Sequence, residues 1–300
     1  DMAKRVDLMH QAEDMLMSTY CIIPIYYYND IYLMKDYVTG IYSNNYGYKY
    51  FMYADMANGS KTLRLNLASE PDKLDPALNS SVDGACLAVN SFGGLFRYNE
   101  NQEIVGNFAD SYVVSEDGLT YTFKLKSGLK WSDGSPLTAQ DFVYSWNRAV
   151  APETAADYAY MFDGLDTWEA TDDTTLVVTL KAPCAYMLDL MAFPTFYPVK
   201  QSEVEKYDDW QTNPGHWAQE AGFVSCGAYV LTEWNHYESI VYEKNPYFWD
   251  AANVKVERLE FMLSADDTAI YAAYQAGDID FADTVPTDEI SSLLDSPEFY

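Results

Sequence analysis

The alternation of apolar and polar positions predicts a chain that mixes helices and strands. Between residues 4 and 20, apolar side chains recur at helical spacing with charged side chains between them, which is typical of an amphipathic helix. Leu63, Leu65 and Leu67 instead alternate with polar residues, as on one face of a β-strand. The same alternation recurs at residues 121–125, 176–180, 240–242 and 254–256. Because helices and strands follow each other without regular βαβ order, we predict an α/β or α+β fold in two lobes.

Capping residues predict two further helices. Thr138 is a favoured N-cap residue, and Asp141 three positions later completes a capping pattern. The helix that follows stops before Pro152, and its apolar face consists of Phe142, Val143, Trp146 and Val150. A last helix spans residues 268–276 and ends at Gly277, since glycine readily adopts the left-handed conformation of a helix C-cap.

Composition excludes some partners and favours others. The 300 residues carry a formal net charge of −28, which would repel nucleic-acid phosphates and anionic lipid headgroups, so neither is expected as a partner. The chain contains 27 Tyr, 14 Phe and 7 Trp residues, and aromatic rings supply large contact areas for a ligand. The longest apolar run, CIIPIYYY, predicts a strand at residues 22–28 and is too short to cross a bilayer. We expect a soluble chain whose export signal has been removed.

No sequence motif for catalysis or cofactor binding is present. The chain lacks the phosphate-binding loop, the dinucleotide glycine motif, the HExxH zinc motif, the nucleophile elbow and the calcium loop. Its three histidines are scattered, and its four cysteines lack the spacing of a metal knuckle, so we expect no cofactor and no metal. Asp278, Asp280 and Asp283 are interpreted as turn and strand-end carboxylates. A glycosidase cleft with two carboxylates is an alternative of low specificity, since 46 acidic residues are available.

Three segments resemble one family of proteins. They are KLDPALNSS, then GNFADSYVVSEDGLTYTFKLKSGLKWSDGSPLTAQDFVYSWNRAVAP, and VYEKNPYFWD. The middle segment combines an aromatic strand, a W-S-D-G-x-P-x-T-A turn and a capped helix that contains D-F-V-Y-S-W. On these segments the chain is similar to the extracytoplasmic oligopeptide-binding proteins of ABC transporters, which are solute-binding proteins of family 5.

The resemblance implies an unusual order of segments. Residues 1–57 resemble the family's C-terminal end, and the chain from about residue 58 resembles its mature N-terminal part. A class II periplasmic-binding-protein-like first lobe would then combine residues 1–57, 58–92 and 200–300, with an additional small domain at 93–199 and no second lobe. We interpret the chain as a circularly permuted, shortened form joined at the ANGS turn. A fragment that spans two tandem genes is the alternative.

The resemblance also implies ligand contacts. The segment after LDP takes the place of a peptide-pairing stretch and comprises Asn79, Ser80, Ser81 and Val82. Tyr28 and Tyr158 fall where family members place aromatic groups on the cleft wall, and Asp283 and Thr284 lie near a cleft-lining turn. Ser80 stands where peptide binders often have an acidic residue, which removes one usual contact of the family.

The function implied by the resemblance is capture without catalysis. We expect a monomer, not an enzyme, that binds oligopeptides and delivers them to the permease subunits of an ABC transporter. Its location would be extracytoplasmic, in the periplasm or on a bacterial surface as a lipoprotein. Without a second lobe, binding should be weak. The alternatives are a sugar- or nickel-binding member of the same family and, less favoured, a carbohydrate hydrolase.

Overall fold

A computed structural model describes residues 2–27 and 29–300, with Met2 described by its backbone alone. The chain divides into two compact units, the first ending at Asp30 and the second running from Ile31 to Tyr300. In the first unit, helix α1 spans Met2–Ser18, as its apolar periodicity predicts. The predicted strand at residues 22–28 is wrong for residues 22–27, which form no strand and are exposed. A strand needs a neighbouring strand to satisfy its backbone groups, and these residues pair with none of the described strands.

The second unit contains the other helices and all the strands of the described residues. Its helices are α2 Val82–Ser91, α3 Ala139–Val150, α4 Met187–Ala192, α5 Gln201–Val204, α6 Asp267–Ala276 and α7 Ile290–Leu293. Its first eight strands are β1 Leu33–Met34, β2 Val38–Thr39, β3 Tyr42–Ser43, β4 Lys49–Tyr50, β5 Asp55–Met56, β6 Thr62–Leu67, β7 Phe96–Tyr98 and β8 Ile104–Gly106. The later strands are β9 Ala109–Val114, β10 Thr120–Leu125, β11 Leu165–Asp172, β12 Thr175–Leu180, β13 Tyr229–Asn235, β14 Ser239–Lys244, β15 Arg258–Leu263 and β16 Phe281–Ala282. Short 3₁₀ turns lie at Ala159–Phe162, Pro194–Phe196, His216–Ala218 and Ala251–Asn253.

A six-stranded sheet organises the larger core in the order β1-β16-β6-β15-β14-β13. Strand β6 runs parallel to both β15 and β16, and the other neighbours are antiparallel. The predicted alternation in β6 is confirmed, because Leu63, Leu65 and Leu67 are all buried. Leu67 pairs with Leu263 at the carboxyl ends of β6 and β15, and the turn that joins β13 to β14 lies at the same edge. Loops that leave this edge therefore lie close together.

A four-stranded sheet in the order β11-β12-β10-β9 forms within residues 109–180. Helix α3 packs on it and is capped as predicted, with the Thr138 N–H donating to Asp141 Oδ2 at 2.7 Å. Phe142 and Trp146 are fully buried, but Val150 is 38% exposed, so the predicted apolar face was too wide at its C-terminal end. The division of the chain into a lobe and a small domain stays a prediction.

Two further element boundaries can be compared with the sequence pattern. The start of β15 differs from the prediction, and the end of α6 matches it. Val254 and Val256 are buried, yet the strand that follows them begins only at Arg258, because two alternating valines also fit a buried connecting segment. Helix α6 ends at Gly277, whose φ of 81° is in the left-handed region, as predicted. The four cysteines are free thiols.

Candidate ligand-binding cleft

The loop from residue 68 to residue 81 leaves the carboxyl end of β6 and leads into α2. Ser81 caps this helix, with its Oγ accepting a hydrogen bond from the Gly84 N–H at 3.2 Å. Asn79 packs against the first turn so closely that a Cβ at Gly84 would lie 2.0 Å from Asn79 Oδ1. Because glycine has no Cβ, position 84 leaves room for Asn79, and the loop can lie directly over the start of the helix.

A cleft of about 180 Å³ opens beside this helix start. It is lined by Tyr46, Tyr48, Asn79, Ser80, Ser81, Val82, Tyr158, Phe193 and Pro194. These residues come from three distant parts of the chain: the connection between β3 and β4, the loop before α2, and the region from residue 158 to residue 194. The cleft therefore exists only because tertiary packing brings these parts together.

Aromatic rings form one wall of the cleft. Tyr46 and Tyr48 are stacked with centroids 5.6 Å apart, and Phe193 meets Tyr158 edge-on at 5.2 Å and Tyr46 edge-on at 6.0 Å. Burial raises the pKa of Tyr48 well above its ordinary value, so its hydroxyl is neutral near pH 7. The wall offers a flat apolar surface with phenol groups at its edge. Such a surface can contact ligand groups of different shapes.

Exposed backbone forms the other part of the cleft. The N–H and C=O of Ser80 and the C=O of Asn79 make no hydrogen bond to any residue that the structure describes. Ser80 is exposed, so its hydroxyl and backbone are open to solvent. Free backbone donors and acceptors beside the exposed Ser80 are what an extended peptide requires for strand-like pairing.

The structure brings five of the predicted site residues together. Asn79, Ser80, Ser81, Val82 and Tyr158 all line the one cleft. Whether they contact a ligand stays a prediction.

The other three predicted site residues lie elsewhere or outside the described chain. Asp283 and Thr284 are not among the residues that line the cleft, and Tyr28 lies outside the described residues. Asp283 Oδ1 forms an ion pair with the buried Lys49 Nζ at 2.7 Å, and the Thr284 hydroxyl donates to Asp267 Oδ1 at 3.0 Å. These contacts give both side chains a role inside the protein.

The sequence analysis missed the aromatic residues that complete the cleft. Tyr46 and Tyr48 belong to the tyrosine-rich segment NNYGYKY, and that unusual composition was a usable signal. Phe193 and Pro194 belong to an ordinary apolar stretch, where only spatial proximity identifies them.

A larger cavity of about 790 Å³ is lined by residues 70–75 of the same loop and by the turn between β13 and β14. His236 Nδ1 lies 2.6 Å from Glu70 Oε1, and this hydrogen bond raises the pKa of His236 above its ordinary value. The Tyr237 N–H donates to Glu70 Oε2 at 2.9 Å. Glu70 thus fastens the turn to the loop.

No group of three or more His, Cys, Asp or Glu side chains among residues 2–27 and 29–300 has an arrangement that could hold a metal ion. Within the same residues, no helix is both long enough and apolar enough to span a membrane.

Comparison with known proteins identifies the family. Residues 103–300 match the family described as bacterial extracellular solute-binding proteins, family 5 middle. The chain belongs to this family. It is 35% identical over 257 residues to the oligopeptide-binding protein OppA of Bacillus subtilis, which covers 79% of this chain and 46% of that protein. The chain thus spans about half the length of the curated relatives it matches.

Solved structures of relatives have the same fold. The Escherichia coli murein tripeptide-binding protein MppA superposes with a TM-score of 0.74 at 31% identity, covering 80% of this chain and 49% of MppA. Listeria monocytogenes OppA bound to peptide gives 0.73 at 28% identity, with 80% and 49% coverage. The fold is therefore the mixed α/β class II fold of periplasmic binding proteins.

Proposed function

We propose that this family 5 chain captures oligopeptides outside the bacterial cytoplasm for delivery to the permease of an ABC importer. The supporting observation is the cleft beside α2, where exposed backbone and aromatic rings line one cavity. The two relatives named above as OppA and the relative named MppA carry peptide-binding names.

Peptide capture would use backbone pairing more than side-chain recognition. The free N–H and C=O of Ser80 and the free C=O of Asn79 would bond to the main chain of an extended peptide. Peptide side chains would then meet the rings of Tyr46, Tyr158 and Phe193, which accept different shapes by stacking. No bond is formed or broken in such capture, so the chain would act as a binding protein and not as an enzyme.

The affinity of this chain by itself should be low. A micromolar complex corresponds to about 8 kcal/mol, and if half of the contacts come from a second lobe, about 4 kcal/mol remain, which corresponds to millimolar binding. We propose that residues 1–57 take the family's C-terminal place, as in a permuted form of the fold. A monomer fits this arrangement because one chain supplies every lining residue of the cleft.

The experiment is a thermal melt of the chain with a pool of tri- to hexapeptides, with oligosaccharides and with nickel, each at millimolar concentration. Ligand binding to the native state raises the melting temperature by mass action. We expect a rise with peptides that Tyr158→Ala abolishes and that Tyr247→Ala retains, since Tyr247 is exposed and does not line the cleft.

Saturation-transfer NMR on the same samples would detect weak binding directly. A peptide signal that Tyr158→Ala leaves unchanged would contradict the proposed cleft. A response to sugars or nickel that Tyr158→Ala removes, with no response to peptides, would assign the cleft to the sugar- or nickel-binding alternative instead.

A further inference from the structure

A third cavity, of about 490 Å³, lies against the outer face of α3, away from the residues that line the cleft. It is lined by Gln140, Tyr144, Asn147, Arg148, Ala151, Glu153, Thr154, Gln201, Trp210, Gln211 and Pro214. The α3 residues in this set are spaced three, four, seven or eight positions apart or adjoin one another, so they form one stripe on the helix. The loop from residue 210 to residue 214 forms the facing wall.

The lining of this cavity is rich in amides and carries few charges. Four side-chain amides line it, those of Gln140, Asn147, Gln201 and Gln211. An amide group both donates and accepts hydrogen bonds, as a sugar hydroxyl also does. The indole of Trp210 supplies a flat apolar surface of the kind on which a sugar ring can stack.

The charges in the wall largely cancel. Arg148 is the cationic residue among the lining side chains, and its Nη2 lies 2.5 Å from Oδ2 of the buried Asp75. Glu153 contributes a carboxylate. An anionic ligand would therefore meet no uncompensated positive charge here, and the net charge of −28 opposes it further.

Arg148 holds the two facing walls of the cavity in place. The residue is 6% exposed, and its Nε–H makes no hydrogen bond to any residue that the structure describes. Its two other nitrogens bond to Asp75 and to the Pro214 carbonyl. The guanidinium thus joins α3 to the loop at residues 210–214, which fixes the two walls relative to each other.

We propose that this cavity binds a neutral oligosaccharide, at a site separate from the peptide cleft. Thr154 and Pro214 line both this cavity and the 790 Å³ cavity, so the two cavities are neighbours. Trp210 stacks on one sugar ring, while the amides on α3 and on the facing wall bond to its hydroxyls.

The test uses saturation-transfer NMR and thermal melting with cellotetraose, maltotetraose and chitotetraose at millimolar concentration. We expect at least one of these probes to bind, and Trp210→Ala to weaken that binding by about tenfold or more. Tyr158→Ala, which alters the peptide cleft, should leave it within about twofold. Circular dichroism checks the fold of each variant, and Gln140→Leu on the exposed surface of α3 serves as a second variant if Trp210→Ala unfolds the chain.

Three results would overturn the proposal. The first is the absence of binding by all three oligosaccharides. The second is sugar binding that Tyr158→Ala removes and Trp210→Ala retains, because the sugar would then lie in the cleft. The third is peptide binding that Trp210→Ala removes while no sugar binds, which would make this cavity a second peptide site. The peptide function of the cleft is judged separately, by the effect of Tyr158→Ala on peptide binding.

Discussion

Replacing Asp280 with asparagine removes the charge from a carboxylate that joins three distant segments of the chain. Asp280 is fully buried, and its two oxygens accept hydrogen bonds from the Arg64 backbone N–H, Nε and Nη2 and from the Tyr37 hydroxyl, over 2.6 to 3.0 Å. Its backbone also bonds to Arg64 and to Lys35. Residues from β6, from the region beside β1 and from the start of β16 therefore meet at one side chain.

The cost of Asp280→Asn follows from counting donors. An asparagine offers one oxygen, so its NH₂ group must face two of the four donors in either orientation. Each buried donor that loses its partner costs about 1–3 kcal/mol. The Arg64 side chain is 37% exposed and can regain some hydration, so we expect a loss of about 3 kcal/mol in the free energy of unfolding.

Urea unfolding and thermal melting at pH 7 measure this loss. At about 2 °C for each kcal/mol in a chain of this size, the melting temperature should fall by about 6 °C. Asp278→Asn is the matched control, because Asp278 is exposed and two positions away, and it should change the stability by less than about 0.5 kcal/mol. If the two variants have the same stability, the structural role assigned to Asp280 is wrong.

Two further predictions concern the loop before α2. The pKa of His236 lies above its unfolded value because of the Glu70 hydrogen bond, so the stabilisation is complete below about pH 6.5 and is lost as the pH rises through the folded pKa. Glu70→Gln should therefore lower the pKa of His236, followed by NMR of the imidazole protons, and reduce stability more at pH 6 than at pH 9. Gly84→Ala should displace Asn79, since the new Cβ would lie 2.0 Å from its Oδ1, and should cost about 1–3 kcal/mol in urea unfolding.

Each of these variants has a control in the chain. Gly164→Ala introduces a Cβ with no atom within 4 Å and should be close to neutral. Equal stability of the Gly84 and Gly164 variants would mean that the loop tolerates displacement. Glu220→Gln alters the carboxylate that lies 3.5 Å from His236 Nε2 and should shift the pKa of His236 less than Glu70→Gln does. A His236 pKa that does not respond to Glu70→Gln would contradict the proposed pair.

The helices and strands that were predicted correctly have local sequence signals. The alternation of Leu63, Leu65 and Leu67 required only the period of a strand, and Gly277 required only the left-handed conformation that ends α6. The strand prediction for residues 22–27 was wrong because a strand also depends on a signal that is not local. The composition of this segment favours a strand, but a strand also requires a partner, and composition does not supply one.

The cleft could be predicted only in part. Resemblance to the family located the loop from Asn79 to Val82 and located Tyr158, which the structure places in one cavity. It also suggested Asp283 and Thr284, whose side chains bond instead to Lys49 and Asp267. Position along the chain indicates which segment lies near an edge of a sheet, but it does not determine which neighbour a side chain contacts.

The sequence by itself determined the class of fold, the family and the acidic, tyrosine-rich character of the chain, because periodicity, motifs and composition are properties of neighbouring residues. Tertiary structure alone decided that Tyr46 and Phe193 would share a wall, that Asp280 would join three segments, and that amides on α3 would face Trp210. Those contacts join residues far apart in the chain. They depend on how the sheets and helices pack, because packing sets which side chains lie within reach of one another.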